Sequence, residues 1–170
     1  MPWGKEINHG FDAGNNRSLD RVLSALELLG PLLTICAGFQ LCANRDVTVW
    51  VDNIAAVCIY SKGYSSSCRL STTIVKAISA IAAGIGCTLH VRKITRCVVP
   101  QAERADALSK GDFHRFWSLR SQDHVIMDTD MAWIPTELKK WVARPREDDR
   151  LGHKILEELS AYTPVLCLNS

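Results

Sequence analysis

Val47-Thr48-Val49-Trp50-Val51-Asp52-Asn53 decides how the rest of this 170-residue chain is read. Three valines alternate with Thr48, Trp50 and Asp52, the period-2 pattern of a short buried strand. The run ends on a carboxylate and an amide, then passes straight into the apolar segment Ile54 to Tyr60. Two readings fit that junction. Asp52 or Asn53 caps a helix, a role in which Asp and Asn lead. Alternatively, Asp52 stands at the carboxyl end of a strand, at the rim where α/β proteins hold their chemistry.

Upstream, Leu19, Val22, Leu23, Leu26, Leu29 and Leu33 have helical spacing, which predicts a helix over 19–39. Ser18 reads as its N-cap and Asp20 as a first-turn acid. Glu27 sits among Leu26, Leu28 and Leu29. Charged side chains are seldom buried unless paired or bound to a metal, so Glu27 is either a solvent-edge residue or a functional one. Pro31 has no N–H for the Glu27 carbonyl, and a kink or loosening is expected there. The first 17 residues, with Trp3, Ile7 and Phe11 among glycines and asparagines, carry little pattern.

Downstream, Lys62-Gly63-Tyr64-Ser65-Ser66-Ser67 is a loop without the Gly-Lys-Ser/Thr ending of a phosphate-binding Walker loop. A long helix follows, with Leu70, Ile74, Ala77, Ile78, Ile81 and Ile85 on one stripe and Gly84 and Gly86 closing it. Leu89 to Ile94 reads as a second strand. Its His90, Arg92 and Lys93 suit an edge or a face that meets phosphate. After the loop 95–103, Arg104-Ala105-Asp106-Ala107-Leu108-Ser109-Lys110 begins a helix. Asp106 lies in or near its first turn, where the helix dipole favours a negative charge.

Beyond Gly111 the composition changes: Phe113, Phe116, Trp117, Trp133 and Trp141 are interleaved with charge. A short helix is expected between Ile134-Pro135-Thr136 and Arg144-Pro145. A last amphipathic helix, capped by Asp148 or Asp149, runs through Leu151, Ile155, Leu156 and Leu159.

Composition narrows the class. A hydrophobic fraction of 47% supports a real core. No apolar run reaches the ~18 residues of a membrane span, and the polar N-terminus is not a secretion signal. The expected setting is therefore intracellular, cytoplasmic or nuclear, with no membrane partner. Seven cysteines, an odd number with no C-x-x-C pair, suggest a reducing compartment, buried thiols at Cys36, Cys58 and Cys87, and neither a disulfide framework nor a zinc site. The net charge of +2 is unevenly spread: residues 60–110 hold eight Lys/Arg against two Asp/Glu. That block is either a solvated face or a surface for a polyanion.

Helix glutamate, strand Asp-Asn, second strand, loop and helix Ala-Asp-Ala-Leu-Ser form a recognisable order. Clustered carboxylates are what two divalent ions need to cleave a phosphodiester, and magnesium prefers such oxygen ligands. VWVDNIAAVCIYSKGYSS followed by ERADALSKGDF resembles the ribonuclease H domain of retroelement reverse transcriptases, most nearly the DIRS/Ngaro retrotransposon type. The resemblance covers about residues 1–116. It implies an α/β domain, an incomplete ribonuclease H-like fold of a glutamate helix, two core strands and further helices. An additional α-helical C-terminal tail of unknown role follows at 117–170.

The resemblance places catalytic and metal-binding carboxylates at Glu27, Asp52 and Asp106. It implies Mg2+ or Mn2+ as cofactor if the domain is active. Nucleic-acid contacts are expected at Asn53, Lys62, Arg92, Lys93 and Arg96. The family's first carboxylate comes from an opening strand, and too few residues precede Leu19 for three strands. Asp12, at a turn, does not take that role, and the loop 95–103 lacks the histidine many members have. The expectation is thus an N-terminally truncated, catalytically impaired domain of a reverse transcriptase polyprotein, associated with RNA–DNA hybrid or other nucleic acid. Its partners would include an upstream reverse transcriptase domain or another copy. The alternatives are an active two-metal nuclease and a protein-interaction module working through the Trp-rich tail.

Overall fold

The structure, a computed structural model, describes residues 16–94, 103–104, 107, 111–119 and 134–161. The elements are α1 (Asn16–Ala37), α2 (Phe39–Cys42), β1 (Asp46–Val51), α3 (Ile54–Lys62), α4 (Arg69–Gly84), β2 (Thr88–Lys93), α5 (Phe113–Ser118), α6 (Thr136–Ala143) and α7 (Leu151–Ala161). The architecture is mixed α/β and mostly helical. Among the described residues the sheet has two strands, β1 and β2, which run parallel with Val47 beside Leu89 and Val51 beside Lys93.

A parallel pair needs a long crossover, which α3 and α4 supply. The strands start in step because two tight turns interlock. The Asn44 N–H donates to the Ile85 carbonyl at 3.0 Å, and Gly86 takes a left-handed φ of 67°. A Cβ at Gly86 would press only on the Asn44 side-chain oxygen, which can swing away, so it is the left-handed backbone angle that favours glycine there.

Helix α1 buries Ala25, Leu28, Leu32, Ile35 and Cys36, the spacing of one helical face. Two expectations about it fail. The helix begins at Asn16, so Ser18 lies inside it rather than capping it, and Asp20 falls beyond the first turn. The helix continues through Pro31, whose ring is fully buried. Burial of an apolar face against α4 holds the segment helical where propensity alone disfavours it.

Helix α4 lies at the centre. Its Ile74, Val75, Ala77, Ile78 and Ile81 are buried, and it packs against α1 on one side and α7 on the other. The α4–α7 approach is close at Gly152, where an added Cβ would meet the Ala77 Cα and the Ala80 Cβ, each at 2.8 Å. Only a residue without a side chain lets the two backbones come so near.

The helices after residue 117 are not an appendage. Leu138, Trp141, Leu151, Ile155 and Leu159 belong to the same buried cluster as Leu28, Ile78 and Val91. Trp141 is 5% exposed and donates its indole N–H to the Arg146 carbonyl at 2.7 Å. This corrects the expectation of a Trp-rich contact surface at that residue: an amphipathic stripe identifies an apolar face but not what it will meet. Asp148 stands ahead of α7 rather than capping it: its carboxylate accepts from the N–H of Arg150, the residue before the helix, at 3.0 Å and from the Lys154 ammonium at 2.6 Å.

Candidate nucleic-acid interface

Strand β1 is less buried than its valines suggest. Val51 is buried, Val47 and Val49 are half-buried, and Asp46, Thr48 and Trp50 are exposed. The sheet therefore packs one face on the helices and leaves the other open. Along that open face Thr48 stands beside His90 and Trp50 beside Arg92. Trp50 is 55% exposed.

At the carboxyl end of β1 the chain turns at Asp52 and Asn53, both half-buried. Asn53, not Asp52, is the helix cap. Its Oδ1 accepts from the Ala55 N–H at 2.8 Å and the Ala56 N–H at 3.3 Å. Those are two of the orphan donors at the start of α3. The Asn53 oxygen is thus committed to the start of α3, a task in which its amide nitrogen takes no part. With capping assigned to Asn53, Asp52 is left as a carboxylate at the sheet rim, and it has interaction partners of its own.

Arg92 and Lys93 close β2 at this same rim, because the register sets them beside Trp50 and Val51. Both are exposed. Lys62 is elsewhere. It ends α3, one helix length from Asn53, roughly 13 Å along the axis. There it lines a cleft of about 350 Å3 along α3 with Ser24, Cys58, Tyr64 and Ser66. The five expected contacts thus split: Arg92 and Lys93 share the rim with Asp52, Lys62 does not, Asn53 is a cap, and Arg96 lies outside the described residues.

Glu27 is half-buried on α1, which packs on β1 and on α3. It too has interaction partners. Asp106 lies outside the described residues, although its neighbours Arg104 and Ala107 are helical and buried. Among the described residues no group of three or more His, Cys, Asp and Glu is arranged to hold a metal ion. Glu27 and Asp52 by themselves do not furnish the ligands two magnesium ions require. The described residues hold two of the three carboxylates that the resemblance implies, and no hydrolytic step is assigned to them.

The described cysteines are free thiols, and most are core residues. Burial pushes the Cys36 thiol up to about 12. Burial also raises Cys42 and Cys87, with the Asp46 charge adding to the effect on Cys87. Such thiols stay protonated and unreactive. Cys58, expected to be buried, is exposed on α3. The apolar run Ile54 to Ile59 contains more apolar residues than the face of α3 that meets the core.

Sequence reasoning gave no role to a second aromatic and basic feature. Arg104, 8% exposed, lies over the Phe116 ring at 4.3 Å, and its Nε and Nη2 have no hydrogen-bond partner among the described residues. Beside it, Trp117 is 52% exposed and meets Phe116 edge-on at 5.1 Å. No spacing rule signals this contact, because Arg104 and Phe116 stand on separate segments either side of Gly111.

Compared with known proteins, the chain matches no family model, no curated protein and no solved structure. Among the described residues no helix is long and apolar enough to cross a membrane.

Proposed function

We propose that this chain is a ribonuclease H-lineage domain of retroelement origin that associates with RNA–DNA hybrid or other nucleic acid and is impaired in hydrolysis. The observation that carries the reading is the sheet rim. A carboxylate at the end of β1 stands at the same end of the sheet as two exposed cations on β2. The element order of glutamate helix, Asp-ended strand and parallel second strand agrees with it, as do the motifs that carry the resemblance. Impairment is inferred from the sequence, which offers Glu27, Asp52 and Asp106 but no counterpart of the carboxylate that the resembled family carries on its opening strand.

Arg92 and Lys93 hold phosphates by charge, so binding is sequence-independent and falls with salt. The test is fluorescence anisotropy of a labelled RNA–DNA hybrid against the purified full chain across a salt series. Binding is expected at low salt. Arg92→Gln with Lys93→Gln should lower the log–log salt slope by about 2, one per phosphate contact, while Lys62→Gln should change it less. Absence of binding at low salt overturns the proposal. Magnesium-dependent cleavage that Asp52→Asn abolishes overturns the impairment and makes the chain an active nuclease.

A further inference from the structure

The two outer edges of the sheet are finished differently. Thr88 N–H donates to the Arg45 carbonyl and Ile94 N–H to the Val51 carbonyl, each at 2.9 Å. With the observed register, the ladder uses the backbone groups of residues 45, 47, 49 and 51 on β1 and of 88, 90, 92 and 94 on β2. The alternate residues point their N–H and C=O away from the sheet. On β2 one of the outward groups is taken: the Tyr60 hydroxyl of α3 donates to the Leu89 carbonyl at 2.9 Å. On β1 the outward groups belong to Asp46, Thr48 and Trp50, and among the described residues no hydrogen bond reaches them. Nor does this edge carry the lysines, proline or bulge that usually guard an exposed strand.

We infer that β1 pairs antiparallel with β1 of a second copy of this chain, about a two-fold axis at Thr48, giving a continuous four-stranded sheet. The edge is self-complementary in that register. Thr48 faces Thr48 of the second copy, and Asp46 faces Trp50 of the second copy. Both are hydrogen-bonded pairs, because these residues carry the free backbone groups. On the opposite face Val47 meets Val49 of the second copy in the close, non-hydrogen-bonded positions. Val47 and Val49 are the residues that one copy leaves half-buried. No like charges stand opposite one another, and the Asp46 carboxylate can accept from the exposed indole N–H of Trp50. A two-fold contact of this kind uses the single β1 edge of each copy and closes at a dimer, whereas pairing the β1 edge with the β2 edge of the next copy would propagate. This inference does not depend on the nuclease lineage.

Sedimentation velocity of the full chain over a range of concentrations tests it. A monomer–dimer equilibrium is expected. Thr48→Pro should abolish the dimer without changing the circular dichroism, because the Thr48 N–H plays no part in the β1–β2 ladder. Thr48→Lys and Thr48→Glu, each alone, should weaken dimerisation about fivefold through like charges facing across the axis. An equimolar mixture of the two should restore it as a heterodimer. A chain that stays monomeric at every concentration overturns the inference. So does a dimer indifferent to these variants, or a mixture that fails to recover.

Discussion

Helix α4 and the two-strand sheet meet the same core with very different completeness. Helix α4 buries eight side chains, hemmed in by α1 and α7. The sheet buries three, Val51, Leu89 and Val91, and shows one whole face to solvent. Parallel sheets are ordinarily covered on both faces. Here the stabilising contacts lie among the helices, and the sheet is held as a platform with one side free. Of the residues proposed to meet nucleic acid or a second copy, Arg92, Thr48 and Trp50 lie on the open face, while Lys93, Val47 and Val49 alternate onto the other face at its exposed or half-buried margin.

Truncation at the centre of each region tests that contrast most strongly. Ile78→Ala, at a fully buried site between helices, should cost about 3–4 kcal/mol. Val49→Ala, half-buried on β1, should cost about 1 kcal/mol. Urea denaturation measures both, and equal losses would break the comparison. The helix start at the sheet rim comes next. Asn53→Ala removes the acceptor for two N–H groups and should cost about 1 kcal/mol, while Asn53→Asp should retain most of the stability. If Asn53→Ala is silent, the rim is not held by its cap.

The smallest effect concerns pH at the start of α7. The Lys154 hydrogen bond holds the Asp148 carboxyl below its ordinary range, with its own burial opposing. A carboxylate whose folded pKa is depressed contributes stability above its unfolded pKa and loses it as pH falls through the folded value. Asp148→Asn should therefore lower stability at pH 7 by about 1 kcal/mol, allowing for the partial exposure of Lys154. It should also flatten the acid limb of the stability curve from the ordinary carboxylate range downward, leaving the slope above that range unchanged. An unchanged acid limb would mean that the Asp148–Lys154 pair does not hold α7. The pair Glu137–Lys140 is also shifted, but it lies open to solvent and should leave little trace.

Parts of this organisation are legible in the sequence. The stripe Ile74, Ala77, Ile78, Ile81 predicts α4 because a 3.6-residue period survives any choice of neighbour. The alternation of Val47, Val49 and Val51 predicts β1 for the same reason. What local patterns omit is the partner. Leu138, Trp141 and Ile155 show apolar faces in sequence, yet their membership of the central core depends on α7 lying across Ala77 and Ala80. Cys58 sits in an apolar run and is nonetheless exposed, because α3 offers the core only one face. At the rim, Asp52 and Asn53 are equally good caps by type, and only the two bonds to Ala55 and Ala56 separate them. The relation of Glu27 to Asp52 depends on how α1 packs over β1, which no spacing along the chain encodes.

The notch that Ala77 and Ala80 present to Gly152 also governs how the chain is allowed to vary in length. Gly152 is the second residue of α7, and the segment 144–150 delivers it from α6. Removing or adding one residue within 144–150 would turn α7 by about 100° against α4. Leu151 or His153 would then be driven at the Ala77 backbone, where not even a methyl fits. That connection therefore behaves as a gauge of fixed length rather than as a tether, and natural insertions should collect in other loops.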